Sequence, residues 1–289
     1  MSGPGPGTGR LLARGRDADI YEYGPRLVVR RARDGRSLEG EAAVMEHVRR
    51  AGYPVPTVHE VRAGGAELVM DRVEGRSMVS ALVRRPWRMR SLAATLATLH
   101  RRLGAIAAPS GLRPLGDGGS AVVHLDLHPL NVLMTRSGPV VIDWSNAARG
   151  RPESDVAQTW VIMASSEAPG PAPARRVLQA RRRAFVDEFL TCTGKRDRAE
   201  AVLPGTIGRR LDDPNVTTGE RALLLEWAAS LAGIVGTVTP RPTTRSPDGP
   251  ALPPSREHGS EEEIDEAGAE SFPASDPPQW WSGGPDADR

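Results

Sequence analysis

The chain has 289 residues, 39% of them hydrophobic, and a formal net charge of +2. Its one cysteine, Cys192, excludes an internal disulfide framework and favours the reducing cytoplasm as its location. No run approaches the roughly 18 consecutive apolar residues of a membrane helix, so we expect no membrane as a partner.

The small net charge combines two regions of opposite sign. Residues 241–289 contain eleven acidic and four basic residues, a net charge of −7, and this leaves +9 for residues 1–240. A basic region can attract nucleic acid, but these arginines are scattered and no nucleic-acid-binding motif accompanies them. Nucleic acid is therefore not expected as a partner.

The N-terminal part of the chain predicts a small sheet with one helix. Residues 1–10 are rich in Gly and Pro and are expected to be disordered. Short apolar runs predict five strands, at residues 11–14, 20–23, 26–31, 57–62 and 66–70. Residues 38–51 predict a helix, because apolar side chains recur every three or four residues before Gly52. We assign residues 11–71 to an N-terminal lobe.

Helical patterns dominate the following region. Residues 71–75 predict the linker between lobes, and a stripe of leucines predicts a helix at residues 89–103. Further helical patterns occur at residues 154–165, 174–190 and 218–235. We assign residues 72–239 to a mainly helical C-terminal lobe. Residues 240–289 are rich in Pro, Ser and acidic residues and predict a mostly disordered tail.

Three oxygen-bearing side chains follow one another in the C-terminal lobe. Asp126 and Asn131 lie in the run His124-Leu-Asp-Leu-His-Pro-Leu-Asn131, and Asp143 follows the strand-like residues 139–142. Kinase-type phosphoryl transfer uses such groups in this order: an Asp accepts the proton of the substrate hydroxyl, then an Asn and an Asp hold magnesium on the nucleotide phosphates. The pattern predicts Asp126 as the catalytic base and Asn131 and Asp143 as metal ligands.

The same segment resembles the aminoglycoside phosphotransferase family, the small-molecule branch of the kinase superfamily that includes choline, homoserine and fructosamine kinase-like members. The similarity lies in the His-x-Asp-x4-Asn loop, in Ile142-Asp-Trp144, and in Gly150-x-Pro-x-x-Asp155. It implies a bilobal, protein-kinase-like α+β fold with an antiparallel-sheet N-terminal lobe. It also implies that the γ-phosphoryl group of ATP is transferred to a hydroxyl of a small molecule, with ATP and Mg²⁺ as cofactors.

This resemblance indicates where the nucleotide would bind in the N-terminal lobe. Arg30 lies in the predicted third strand, where the family has a Lys or Arg that grips the phosphates, and Glu41 is the expected partner on the next helix. Gly15 lies in the turn between the first two strands, where backbone amides would cap the phosphates. This turn has one glycine, whereas the protein-kinase loop has three.

Several alternatives remain open at this point. A nucleotide-binding pseudokinase or interaction protein with little or no transfer activity would fit Arg30 and the glycine-poor turn. A metal-hydrolase site could use His124, Asp126 and His128 on one face of a strand. An amine-bearing acceptor would suit the carboxylates after Asp143, and Trp160 with Trp227 could form a cage for a cation.

The acidic tail contains one distinctive segment, residues 261–281. It includes Ser271-Phe-Pro-Ala-Ser-Asp-Pro-Pro278 and the pair Trp280-Trp281, and it resembles a short bacterial module of unassigned function. A Pro-rich segment with two tryptophans could dock on the chain itself or on a protein partner.

Overall fold

An antiparallel sheet and a bundle of helices form two lobes of the protein. The computed structural model describes residues 9–15, 17–166 and 171–234. The predictions for residues 1–8 and for the tail, including its segment 261–281, lie outside the described residues. Gly9 and Arg10 are already paired by backbone hydrogen bonds with Glu22.

The N-terminal lobe is a five-stranded antiparallel sheet of order β1-β2-β3-β5-β4. Its strands are β1 (Leu11–Arg14), β2 (Ala18–Glu22), β3 (Leu27–Ala32), β4 (Val58–Arg62) and β5 (Glu67–Asp71). Helix α1 (Glu39–Arg50) connects β3 to β4 and buries Ala42, Val44, Met45 and Val48. In the centre of the sheet, Arg30 pairs with Ile20 on one side and with Leu68 on the other. The predicted strands and helix are therefore confirmed, with shifts of a few residues at their ends.

The C-terminal lobe is mainly helical. Its helices are α2 (Met78–Arg84), α3 (Met89–Leu103), α4 (Pro152–Ser165), α5 (Ala172–Thr193), α6 (Arg196–Leu211) and α7 (Thr218–Ile234). Short strands accompany them: β6 (Arg76–Ser77), β7 (Ala121–Val123), β8 (Val132–Thr135), β9 (Gly138–Val141) and β10 (Ala148–Gly150). None of the described helices has the length and apolar composition needed to cross a membrane.

Helices α3 and α4 carry the core of this lobe. The predicted leucine stripe of α3 is fully buried, and the helix packs against α5. Truncation of such a leucine to alanine typically destabilises a protein by about 2–5 kcal/mol. Because α4 is buried along nearly all of its length, it can hold polar side chains in fixed positions behind the loop that follows β7.

Helix α6 was not predicted from the sequence. Pro204 lies inside it, and Gly205 and Gly208 follow, so its intrinsic helical propensity is low. Leu203 and Ile207 are buried, and the helix packs closely against α4. Burial of this apolar face stabilises a helix that the local sequence disfavours.

Candidate active site

Two short strand pairs position the loop that contains Asp126. Strand β7 leads into the loop and pairs with β10, while β8 leaves the loop and pairs with β9. The backbone N–H of Ile142 donates to the carbonyl oxygen of Asn131 at 3.0 Å, just beyond the β8–β9 ladder. Asn131 and Asp143 are thereby held at the same end of this hairpin, as expected from the strand-like run between them.

The Asp126 carboxylate is held by the side chain of Asn131 and faces His128. The Nδ2 atom of Asn131 donates to Oδ2 of Asp126 at 2.9 Å and to its backbone carbonyl at 3.0 Å. His128 accepts the N–H of Leu130 at Nδ1, which leaves its proton on Nε2, and Nε2 lies 3.2 Å from Oδ1 of Asp126. All three side chains are buried, so the orientation of the carboxylate is set before any substrate arrives.

His124 braces the loop through both of its ring nitrogens. It accepts the N–H of Asp126 at Nδ1 and donates from Nε2 to the carbonyl of Ile142 at 3.1 Å. Its ring packs edge-on against Trp144 with centroids 4.7 Å apart. Burial lowers the pKa of His124 below its ordinary value, which keeps the ring neutral in this position. Both ring nitrogens are engaged, so His124 cannot serve as a metal ligand in this arrangement.

Asp155 fixes the start of the loop from helix α4. Its Oδ1 accepts the N–H groups of His124 and Leu125 at 3.1 and 2.7 Å, and its Oδ2 lies 3.2 Å from Nδ1 of His100. Burial alone would raise the pKa of Asp155, but His100 and these donors outweigh burial and hold the pKa below its ordinary value. The two hydrogen bonds keep Leu125 at a φ of 63°, a left-handed conformation that costs non-glycine residues energy.

Asp143 also has a left-handed backbone, with a φ of 62°. Its Oδ1 accepts the hydroxyl of Ser145 at 2.9 Å and lies 3.2 Å from Nη2 of Arg30 in the other lobe. Burial would raise the pKa of Asp143, but the Arg30 guanidinium and the Ser145 hydroxyl together hold it below the ordinary value. The carboxylate is therefore charged at neutral pH, as a metal ligand must be.

The predicted pairing of Arg30 with Glu41 is present in the structure. The Nε atom of Arg30 lies 3.2 Å from Oε1 of Glu41, and both side chains are buried. Burial raises the pKa of Glu41, although the charge of Arg30 opposes this effect. For Arg30, the pKa is lowered by burial, but Glu41 and Asp143 more than compensate and raise it overall. The contact with Asp143 was not predicted, and it makes Arg30 the charged link between the lobes.

Gly15 forms a tight turn between β1 and β2. Its N–H donates to the carbonyl of Ala18 at 2.9 Å, and a Cβ atom on Gly15 would approach that same oxygen to 2.7 Å. Glycine is therefore required for the turn itself. The nearby carboxylates each lie close to an arginine: Asp17 near Arg36 at 3.5 Å and Asp19 near Arg33 at 3.7 Å. These arginines reduce the negative charge that the turn would present to a phosphate.

Asn131 and Asp143 provide the oxygen donors that Mg²⁺ prefers. The Oδ1 atom of Asn131 is buried and accepts no hydrogen bond from any residue that the structure describes, whereas its Nδ2 atom is held by Asp126. This donor pair thus fits a divalent cation. Among the described residues, no group of three or more His, Cys, Asp or Glu side chains is arranged to hold a metal ion, so the alternative of a His124–Asp126–His128 hydrolase site is wrong.

The carboxylates that could recognise an amine are largely occupied by arginines. Within the described residues these contacts are Asp187 with Arg196, Glu188 with Arg90, and both Asp213 and Glu220 with Arg210. Trp160 and Trp227 do lie together, with ring centroids 5.8 Å apart. The guanidinium of Arg196 lies 5.6 Å from the centroid of the Trp160 ring, so the chain itself supplies a cation there.

A family model described as the phosphotransferase enzyme family matches residues 8–118 and 102–190, together more than half of the chain. The chain belongs to this family. Membership of the phosphotransferase enzyme family confirms the resemblance recognised from the loop motifs. No curated protein sequence matches the chain.

Solved structures of phosphotransferases share the fold. A thermostable mutant of aminoglycoside phosphotransferase APH(4)-Ia, in a ternary complex with ADP and hygromycin B, aligns with a TM-score of 0.55 at 16% identity over 79% of this chain and 94% of that chain. The streptomycin–ATP complex of APH(2'')-IIa aligns with a TM-score of 0.51 at 13% identity over 75% and 90% of the two chains. The predicted bilobal, kinase-like α+β fold is therefore confirmed.

Two side chains near the site were assigned no role there from the sequence. His128 was considered only as a ligand of the alternative metal site, and Ser145 was not considered at all. The spacing of His128, two residues after Asp126, gave a signal, but its ring is directed at Asp126 only because the loop turns at Pro129. Ser145 follows Asp143 by two residues, and its contact depends on the left-handed backbone at Asp143.

Proposed function

We propose that this member of the phosphotransferase enzyme family transfers the γ-phosphoryl group of ATP to a hydroxyl group of a small molecule. One observation carries the proposal: the buried carboxylate of Asp126 is fixed by Asn131, whose remaining oxygen is unpaired beside the hairpin that carries Asp143. A base and two metal donors in this order are what kinase-type phosphoryl transfer requires.

In this proposal, Asp126 orients the acceptor hydroxyl and accepts its proton as the oxygen attacks the γ-phosphorus. A positioned base of this kind contributes a factor of roughly 10² to 10⁴ to the rate. Asn131 holds the carboxylate in place, and His128 faces its other oxygen, so that little reorganisation is needed when the acceptor binds.

Arg30 and the metal donors act on the nucleotide. Asn131 and Asp143 would hold Mg²⁺, which neutralises charge on the phosphate oxygens when it is bound. Arg30, kept in position by Glu41, can grip two phosphate oxygens with its planar guanidinium. Its contact with Asp143 supports a position next to one of the proposed metal donors, and the turn at Gly15 would cover the phosphates with backbone amides.

The complexes of the solved relatives support this assignment of the nucleotide and the class of acceptor. One relative holds ADP with hygromycin B, and the other holds ATP with streptomycin. We propose that residues 11–71 bind the nucleotide, that residues 72–239 bind the acceptor, and that the protein acts in the cytoplasm. An amine-bearing acceptor remains part of the proposal, although most of the described carboxylates are paired with arginines.

The decisive experiment is a screen for ADP release with amino sugars, aminocyclitols, choline and homoserine. Each acceptor is tested with magnesium-ATP against the parent protein and against the Asp126→Asn variant. We expect phosphorylated product from at least one acceptor with the parent protein, and formation of the same product at least roughly 10²-fold more slowly with the variant. Equal product formation by both proteins would show that Asp126 is not the base.

The pseudokinase alternative is favoured by one observation, the contact of Arg30 with Asp143, because this contact engages the arginine that would otherwise bind the phosphates. Thermal unfolding with and without magnesium-ATP tests nucleotide binding separately from transfer. A rise in Tm without product from any acceptor class would support the pseudokinase. A rise in Tm with product supports the phosphotransferase.

A further inference from the structure

A basic and apolar surface lies between helices α2 and α3. Val83 and Trp87 have relative exposures of 70% and 77%, and both belong to the large hydrophobic residues that the described part of the chain leaves exposed. Arg84, Arg85 and Arg88 are exposed beside them. We call these five residues the Trp87 patch.

The arginines of the Trp87 patch have no ion-pair partner among the described residues, whereas the nearby Arg90 has Glu188 at 3.7 Å. An exposed tryptophan within three residues of three such exposed arginines is unusual for a free surface, because Trp and Arg are enriched in protein interfaces. No residue of the patch has a role in the proposed reaction. Helix α2 does pack against the turn Pro129–Asn131, so an occupant of the patch would lie one helix away from the catalytic loop.

We propose that the Trp87 patch binds the acidic run 261–266 of the same chain. This run has five carboxylates in six residues: Glu261, Glu262, Glu263, Asp265 and Glu266. Charge complementarity carries the assignment, since the densest cluster of negative charge in the chain would meet three arginines that have no ion-pair partner in the described part of the chain. The carboxylates pair with Arg84, Arg85 and Arg88, and the run partly covers Trp87.

The covalent connection makes this contact feasible even when it is weak. The last described residue is Ile234, and 26 residues separate it from Glu261. A linker of this length spans roughly 30 Å as a random coil, and roughly 80–90 Å when fully extended. It can therefore reach any face of a protein of this size. Tethering through such a linker gives an effective concentration that approaches the millimolar range.

The same tether explains why the occupant is this chain rather than an external anion. A nucleic acid or an anionic membrane would have to displace the acidic run, which is always present at high local concentration. The contact should weaken as salt is added, because exposed charges are screened within about 8–10 Å at 0.1–0.15 M ionic strength.

The test uses the full chain with 5-fluorotryptophan in place of its six tryptophans and follows the ¹⁹F resonance of Trp87. The resonance is assigned with Trp87→Phe. In one variant the acidic run is neutralised (E261Q, E262Q, E263Q, D265N and E266Q). The matched control neutralises five other acidic residues of the tail (D248N, E257Q, E270Q, D276N and D286N) and so changes the net charge by the same amount.

We expect neutralisation of the run to shift the Trp87 resonance toward the position that it reaches at 0.5 M salt, while the control leaves it unchanged. Solvent exposure of Trp87, measured as the H₂O–D₂O isotope shift, should increase in the first variant only. An unchanged Trp87 resonance, or an equal change in the control, overturns the proposal.

Two further measurements address other occupants. A Trp87 resonance that depends on protein concentration would assign the run to the patch of a second copy and overturn the intrachain contact. Binding of an oligonucleotide or of anionic vesicles to the parent protein as tightly as to the neutralised variant would show that the patch is free. We expect both probes to bind the neutralised variant several-fold more tightly.

Discussion

The loop that carries Asp126 and the corner where Arg30 meets Asp143 are held in different ways. Hydrogen bonds within one lobe fix the loop, from His124, Asn131 and Asp155. The corner depends on an ion pair between the lobes, since Arg30 lies in β3 and Asp143, 113 residues later in the sequence, lies in the loop that follows β9.

This difference suits the two regions to different tasks: the loop orients the base, and the corner binds the metal–nucleotide complex. A loop held by short, buried hydrogen bonds presents its base in one orientation, which favours the reaction without reorganisation. The corner is held by charges that a metal–nucleotide complex would also attract, so Arg30 must share or exchange its contact with Asp143 when phosphates bind. We therefore expect changes in the loop to affect turnover or folding, and changes in the corner to affect nucleotide binding.

The largest effect is expected for Asp126→Asn. The substitution keeps the shape of the side chain but removes the base, so kcat should fall by roughly 10²- to 10⁴-fold. Steady-state kinetics with an acceptor found in the screen would measure this. The increase in Tm produced by magnesium-ATP should remain, because Asp126 is not proposed as a metal ligand. The exposed Asp187→Asn is a suitable control and should retain the activity of the parent protein. A loss of nucleotide binding in Asp126→Asn would show that the loop, and not only the corner of Arg30 and Asp143, takes part in binding the nucleotide.

Asp155→Ala should reduce the free energy of unfolding by about 3–5 kcal/mol, the range for breaking a buried charged pair. It leaves the N–H groups of His124 and Leu125 and the His100 ring without their acceptor. Urea denaturation measures the loss. The surface pair of Asp187 with Arg196 provides the control, and Asp187→Ala should change stability by less than about 1 kcal/mol.

The stability contributed by Asp155 should also depend on pH. Its pKa in the folded protein lies below the ordinary value of 3.8, so the folded state favours the ionised form. This contribution is complete above the unfolded pKa and is lost as the pH falls through the lower, folded pKa. Urea denaturation between pH 5 and pH 2 should show a steeper loss for the parent protein than for Asp155→Asn. Identical slopes would mean that Asp155 does not brace the loop through its charge.

Asp143→Asn should act on the corner. It removes the negative charge that would attract the metal ion and that pairs with Arg30, so the stabilisation by magnesium-ATP should largely disappear. A ligand present at 100 times its Kd stabilises a protein by about 2.7 kcal/mol, which sets the size of the expected loss. Thermal unfolding at a fixed magnesium-ATP concentration provides the measurement. Asp155→Asn serves as the comparison, since it lowers stability but should retain the nucleotide-dependent increase.

The smallest effect is expected at Leu125, whose left-handed backbone costs about 1–2 kcal/mol in residues other than glycine. Leu125→Gly relieves this strain but makes the unfolded chain more flexible, so the net change in stability should be within about 1 kcal/mol. Leu125→Ile, which is branched at Cβ, should be less stable than Leu125→Gly by at least about 1 kcal/mol. The Tm values of the two variants measure this difference in stability. Equal values would show that the backbone at Leu125 is not strained.

Much of the fold could be predicted because it follows from local periodicity. The leucine stripe of α3 and the short apolar run of β3 each depend on a few neighbouring residues, and the structure buries the leucines as well as Val28 and Val29. Helix α6 could not be predicted in this way. Pro204 and two glycines weaken its local signal, and the helix is stabilised by tertiary contacts, which bury Leu203 and Ile207 and pack the helix mainly against α4.

The candidate site likewise contains some contacts that the sequence predicts and others that it does not. The pairing of Arg30 with Glu41 was predictable because a strand and the next helix bring them together across eleven positions. The contact of Arg30 with Asp143 and the approach of His128 to Asp126 were not. Both depend on how the lobes meet and how the loop turns, and neither is encoded by spacing alone. The patch around Trp87 was likewise overlooked, since its arginines appeared as part of a scattered basic region.

The sequence by itself determined the family, the two-lobed fold and the order of Asp126, Asn131 and Asp143, because motif spacing and apolar periodicity are properties of neighbouring residues. The tertiary structure decided which of these groups are buried, which contacts neutralise them and where an unpaired oxygen is left for a cation. Those features depend on contacts between residues that are far apart in the chain, and such contacts are determined by long-range packing and not by the local sequence.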